Sequence, residues 1–423
     1  MTAERLKPMC LVLLLGLAAA TPNLSGGGSQ GTPLRAEAFV MLGLLAASLL
    51  SGALGRLGAP GRALYLITFA IIVALLGSSI TNPVNTSWND LFIIVRLGEY
   101  WAMFTVAAWL TRSCDAQQQW TVVVGFQLIV ATVALIGIAQ YLDVLSMNRL
   151  TAVYGQVTLL ANGLEARRAV GTLGNPNYFG FTCALGSCVA FATLLRRAPR
   201  IATLTSTGTL ASTIGGMFVS GSRGAVLSAT AMATILVGSS LISKFSRTRA
   251  LTAAALAAVC TGLALGFLDS LPIVNRFSLL TGTANASSNV HTSILTHRAA
   301  WGQALEVIRG HEIFGVGPSK HVLVQWVDSD MLRLTREFGL IGLGCYLSLV
   351  MWLVWRLTTR LTTHIDEKRW AASLGLALVG GFFVMGLTAD VFYNERVMSM
   401  IFMLAGLLYG WASIKPAQDV GIT

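Results

Sequence analysis

The sequence predicts an all-α polytopic membrane protein with about twelve transmembrane helices. Of its 423 residues, 54% are hydrophobic and only 11% charged, with a mean hydropathy of +0.69; a soluble domain carries roughly a quarter charged residues. Apolar runs long enough to cross the roughly 30 Å hydrocarbon core recur along the whole chain. They are continuously apolar, not alternating, which excludes a β-barrel. Basic residues also alternate between successive connections, rich then poor, so the net charge of +11 is topological and implies no nucleic-acid partner.

The spans fall at 8–21, 36–54, 63–80, 90–110, 120–142, 177–195, 200–218, 225–243, 250–268, 339–356, 370–389 and 396–413. The first follows a basic start and is short. It reads as a retained first helix, with a cleaved signal peptide as the other reading. SGGGSQG after it is a flexible linker. With the N-terminus cytoplasmic, the inside connections hold Arg5, Lys7, Arg56, Arg62, Arg112, Arg196, Arg197 and Arg200. Further along they hold Lys244, Arg247, Arg249, Arg356, Arg360, Lys368, Arg369 and Lys415. The short outside loops hold Arg35, Arg223 and Arg396. The positive-inside rule therefore places both termini in the cytoplasm. Inside the fourth span, Arg96 and Glu99 are one helical turn apart and should pair or line a polar cavity. The six cysteines are scattered in apolar segments and read as small hydrophobes.

The chain reads as one integral membrane domain, 1–423, with two long outside segments. One covers 143–176. The other, 269–338, is inserted between helices 9 and 10. In it, Leu295, Ala299, Leu305 and Ile308 have near-helical spacing, predicting an amphipathic helix on the membrane face. A second short helix follows around Leu332 and Leu334.

Arginine on the outside is the informative signal. Arg167 and Arg168 precede AVGTLGNPNYFGF, Arg223 lies in SGSRGAVLS, and Arg298 lies in THRAAWGQAL. Each alone reads as an arginine snorkelling from a helix end. Together they predict a polyanionic ligand, because guanidinium is planar, permanently charged and bidentate toward phosphate. SGSRGA would present backbone N–H groups at a helix start. Asn175 and Asn177 flank Pro176, which suits the first position of the next helix. The segment WVDSDMLRLTREFGLIGLGCYL crowds Asp328, Asp330, Arg333, Arg336 and Glu337 against a span. Asp328 reads as a helix cap or a general base, with Asp330 as the rival base. Asp330 and Arg333 have pairing distance along a helix, and Arg333, Arg336 and Glu337 read either as site residues or as a solvated face. Of the loop histidines His291, His297, His311 and His321, His321 is the candidate supporting base. Asp390, Glu395 and Arg396 around the last outside turn are candidates for the site rim.

Four stretches in order carry a resemblance: RRAVGTLGNPNYFG, VSGSRGAVLS, HRAAWGQALEVIRGHEIFGVGPSKH and DSDMLRLTREFGLIGLGCYL. They resemble the O-antigen ligase and polysaccharide polymerase family, over roughly residues 165–350. The resemblance implies a GT-C-like fold in the bacterial inner membrane with a periplasmic active site. It also implies an undecaprenyl-diphosphate-linked oligosaccharide donor, a glycan or lipid A–core acceptor, and inverting transfer without metal or other cofactor. A chain-length regulator is a further implied partner. Arg168, Arg223 and Arg298 become diphosphate-binding residues. Arg167, Asn175, Asn177, His321, Arg333, Arg336 and Glu337 become accessory ones. Where ligases of that family carry a His-Asn pair, this chain has Asp328 and Ser329, a likeness to the polymerases of exopolysaccharide or O-antigen repeat units. Ligase activity, a transporter of lipid-linked glycan or small molecules, and a non-catalytic scaffold are the alternatives. GALGRLGAPGR echoes a major-facilitator loop, but it lacks that motif's Asp and a second copy.

Overall fold

The computed structural model describes residues 3–20, 88–112, 114–144, 168–196, 198–242, 288–317, 327, 329–361 and 366–412. Among them every regular element is a helix: α1 (Ala3–Ala20), α2 (Trp88–Arg112), α3 (Ala116–Leu142), α4 (Pro176–Leu194) and α5 (Arg200–Ser220). Then come α6 (Arg223–Ile242), α7 (Ser288–Ile308), α8 (Asp330–Leu361), α9 (Asp366–Thr388) and α10 (Glu395–Ala412), with a 3-10 turn at Val391–Tyr393. Each predicted span within these residues coincides with a helix. The predicted spans 36–54, 63–80 and 250–268 lie outside the described residues. Among the described residues, four helices are long and apolar enough to cross a membrane: Gln117–Leu142 of α3, α4, α8 and α9.

Local chemistry sets the ends. Asp115 accepts the Gln118 N–H while the Gln118 side chain accepts the Asp115 N–H, a reciprocal cap that starts α3. Asn175 Oδ1 accepts the Asn177 N–H at 2.8 Å, and Pro176 occupies the first turn of α4. α5 ends at Gly221, whose left-handed backbone (φ 59°) lets the chain turn within two residues into α6.

α3, α4 and α5 pack mutually, α6 joins α4 and α9, and α10 lies along α2. The last contact depends on Gly406 and Gly410, spaced i,i+4. A Cβ on Gly410 would sit 2.6 Å from the Ala108 carbonyl oxygen, so only small residues allow this approach. Phe126, Phe179, Phe181 and Met232 fill the interior. α5 carries a Ser/Thr-rich buried face and compensates it locally. Gln127 of α3 donates to Thr193 at 3.2 Å and Ser206 at 2.9 Å, and Ser187 meets Thr213 at 2.7 Å.

α8 departs from expectation. The predicted short helix and the tenth span run on as one element, broken at Gly339 (φ 65°, ψ −168°). That conformation is nearly exclusive to glycine. The break frees backbone groups that a helix would pair, and residues 312–317 satisfy them. Val316 and Gly317 donate to the Arg336 and Glu337 carbonyls at 2.8 and 2.9 Å, and Leu340 and Ile341 donate to Glu312 and Ile313 at 2.7 and 3.3 Å. A Cβ on Gly315 would come within 2.5 Å of the Glu337 backbone.

α7 packs on α8 through Ala304 and Val307, against Val327 and Leu332. The described part of the predicted stripe is turned away from that contact: Ala299 and Leu305 are exposed and Ile308 is half-buried, while the side chain of Leu295 lies outside the described residues. Leu305 is 50% exposed beside Trp301, so the wider apolar side of α7 faces outward, as a helix on a membrane face would.

Candidate functional site

Hydrogen bonds gather the ends of many helices into one corner, hereafter the site end. The segment Arg168–Asn175 plugs it, with Ala169, Val170, Thr172 and Leu173 buried. Gln140 at the end of α3 holds Gly171 by two bonds, accepting its N–H at 2.9 Å and donating to its carbonyl at 3.0 Å. Thr172 donates to the Ala19 carbonyl of α1 at 2.7 Å, and Arg396 of α10 donates to the Thr172 carbonyl. Ala169 donates to Val219 of α5 at 2.9 Å.

Arg168 belongs to this plug. Its Nε donates to the Ser220 carbonyl at 2.7 Å and its Nη2 to Asn177 Oδ1 at 3.0 Å. It therefore ties the start of α4 to the turn that ends α5. Three residues on, Arg223 opens α6 half-buried, and among the described residues its guanidinium has no hydrogen-bond or ion-pair partner. Ser222 accepts the Ala225 N–H at 3.3 Å, which caps that helix. The α4 and α6 N-termini thus sit side by side, each a positive dipole end. These bonds bring Arg168, Asn175 and Asn177 together, and the Ser220 bond ties the turn that carries Arg223 to them. Arg298 lies on α7, exposed and without a hydrogen-bond or ion-pair partner among the described residues. Arg167, His321 and Asp328 lie outside the described residues. His311 is exposed beside the Val307 carbonyl.

The charges of α8 form a second layer, and the solvated-face reading is overturned. Asp330, Arg333, Arg336 and Glu337 are each at most 6% exposed. Glu337 Oε1 receives Arg333 Nε and Arg336 Nη2, both at 3.0 Å. Arg333 Nη1 reaches Asp390 Oδ2 at 2.5 Å, and Asp390 Oδ1 accepts the Tyr178 hydroxyl at 2.8 Å. This gives a continuous chain, Arg336–Glu337–Arg333–Asp390–Tyr178, from α8 across the 3-10 turn to α4. Ions buried at this depth persist only when paired. Arg333 chooses Glu337 and Asp390; the expected Asp330–Arg333 pair does not form.

Asp330 instead accepts the Phe392 N–H on Oδ1 at 3.0 Å, and Oδ2 is buried against Gly386 with no hydrogen-bond partner. Arg336 Nε and the Tyr346 hydroxyl are also buried without partners. Asp330 has no exposed surface, so in this conformation it fastens the 3-10 turn and meets no solvent. Nearby, Arg96 of α2 pairs with Glu395 of α10. At the far edge, the Gly310 N–H donated to Glu312 at 2.8 Å holds that carboxyl below the ordinary glutamate range.

Sequence reasoning missed Tyr178, Ser220, Gln140 and the glycine pair 315/339. The dense glycines of FGVG and EFGL were the available signal for the pair. Among the described residues, no group of three or more His, Cys, Asp or Glu side chains could hold a metal ion. No protein-family model matches the chain, and no curated protein matches it either.

Proposed function

We propose that the chain is a bacterial inner-membrane glycosyltransferase of about twelve spans, with its site end in the periplasm. It uses undecaprenyl-diphosphate-linked glycan as donor and polymerises exopolysaccharide or O-antigen repeat units. One observation carries the reading. The plug bearing Arg168 and the turn bearing Arg223 are bonded together at two helix N-termini, and no described residue bonds the Arg223 guanidinium. The helix ends that meet there are those that the distribution of basic residues assigns to the outside, which supports the topology.

In the reaction, Asp328 takes the proton from the acceptor hydroxyl. The hydroxyl oxygen attacks the anomeric carbon, and the bond from that carbon to the diphosphate oxygen breaks with inversion. Arg223 stabilises the charge that grows on the departing diphosphate, while Arg168 holds Asn177 and the turn in place.

Purified protein incubated with lipid-diphosphate-linked repeat units should release undecaprenyl diphosphate and lengthen the glycan. Arg223→Lys keeps charge but loses the fork, and should lower turnover about tenfold or more with no change in thermal midpoint. Asp328→Asn should abolish transfer. Movement of intact lipid without diphosphate release would identify a transporter and overturn the reading; glycan appearing on lipid A–core would make the enzyme a ligase.

A further inference from the structure

At the opposite, basic end of the bundle, three arginines converge where α2, α8 and α10 finish. Arg356 and Arg360 stand one turn apart on α8, and Arg112 is the last residue of α2. Arg360 Nη1 donates to the Ala412 carbonyl at the end of α10, at 3.2 Å. The Arg112 guanidinium lies 5.5 Å from the centre of the Tyr409 ring, one turn earlier on the same helix. Both are thus drawn to one helix end, and Arg112 and Arg356 each bear on Arg360 as like charges. Arg356 rests against the Trp352 and Trp355 rings, 6.0 and 5.6 Å from their centroids. All three arginines are half-buried, so each keeps surface open to its surroundings.

Among the described residues no carboxylate partners Arg356 or Arg360. Nearby acids are engaged elsewhere: Asp115 caps α3, Glu367 takes Arg196 at 2.7 Å, and Asp366 lies 3.7 Å from Arg369. A guanidinium has five N–H donors, and the Ala412 carbonyl uses one of those on Arg360. Like charges one turn apart on a helix repel, so an anion bridging Arg356 and Arg360 relieves a cost that the protein otherwise carries. The surroundings select the anion. The outward stripe of α8 runs through Ile341, Gly344, Ser348, Met351 and Trp355, the last two 71% and 59% exposed. Because α8 is long and apolar enough to cross a membrane, that stripe faces acyl chains, and it ends at the arginines. Trp352, Trp355 and Tyr409 are the residue types of headgroup level. Basic surfaces between helix ends at that level take anionic headgroups.

We propose that Arg356 and Arg360, with Arg112 adding charge, bind the phosphodiester headgroup of an anionic phospholipid whose acyl chains lie along Met351 and Trp355. The site is at the other end of the bundle from the transfer site and independent of the glycosyltransferase reading.

The test uses the full chain in lipid-free micelles, titrated with phosphatidylglycerol, phosphatidylcholine or inorganic phosphate. Native mass spectrometry reads bound lipid, and thermal unfolding reads the midpoint. Wild type should hold phosphatidylglycerol in preference to phosphatidylcholine, and its midpoint should rise with phosphatidylglycerol. Arg356→Gln and Arg360→Gln should each weaken phosphatidylglycerol binding about fivefold, whereas Arg200→Gln, an exposed charge lost at the same end, binds as the wild type does. Without lipid, Arg356→Gln should unfold where the wild type does; with phosphatidylglycerol it should lose most of the rise. A purely structural arginine would instead lower the midpoint with and without lipid alike. Arg356 bonds no protein acceptor, so its variant decides the matter even if Arg360→Gln fails to fold. Equal phosphatidylglycerol binding in wild type and Arg356→Gln, no preference over phosphatidylcholine, or an equal midpoint rise with inorganic phosphate would each overturn the site.

Discussion

The two ends of the bundle handle arginine in opposite ways. At the site end, Arg333 and Arg336 are buried and neutralised by Glu337 and Asp390, in a chain that joins α8, the 3-10 turn and α4. At the basic end, Arg112, Arg196 and Arg356 lie on aromatic faces, over Tyr409, over Trp120 and Trp370, and over Trp352 and Trp355. The first arrangement is rigid and fragile, because removing one charge strands another. The second tolerates change, because an aromatic face carries no charge to strand. A region that must hold a fixed constellation gains from the first arrangement.

The widest split between the ends should appear in their glutamates. Glu337→Ala strips buried Arg336 of its counter-charge, leaves Arg333 with Asp390 alone, and should cost about 3–5 kcal/mol. Glu367→Ala, at a side chain 47% exposed, should cost no more than about 1 kcal/mol. Chemical denaturation in micelles measures both, and equal costs would erase the contrast. Next in size is Gly339→Ala, which forces an alanine into φ 65° and drives its Cβ into the Ile313 carbonyl. It should cost about 3 kcal/mol and raise amide exchange at Val316 and Gly317. Between the ends, Gln127→Leu removes a polar node whose serine and threonine partners keep their own carbonyl acceptors, Ala202 and Val189. The loss should be about 1 kcal/mol or less by thermal midpoint.

The smallest effect concerns acid. The folded Glu312 carboxyl titrates below its ordinary value, so its contribution is present at neutral pH. It is lost as pH falls through the lowered folded value, below the ordinary glutamate range. Exchange at the Gly310 amide should rise there in wild type and stay flat in Glu312→Gln.

The helices themselves were legible, because continuous apolar runs and capping residues such as Asn175 and Asp115 act locally. The candidate site was legible in part: Arg168 and Asn177, picked from arginine beside turn-formers, bond each other, and Arg168 also holds the turn that carries Arg223. The role of Arg168 in fastening Ser220 was not legible, since the bond spans 52 residues. Arg333, Arg336 and Glu337 have the spacing of a solvated helix face, and only distant chain, Asp390 and Gly315–Gly317, buries them. Arg96 shows the same limit. Its neighbour along the helix was Glu99, but Glu395 of α10 also reaches it.

The broken helix α8 has a mechanical consequence. Four backbone bonds zip residues 312–317 to both sides of Gly339. That stretch is therefore no free-swinging flap. Any movement that lifts it must either unzip all four bonds or drag Arg336 and Glu337 along, so opening there would be felt at once by the ion chain that reaches Tyr178.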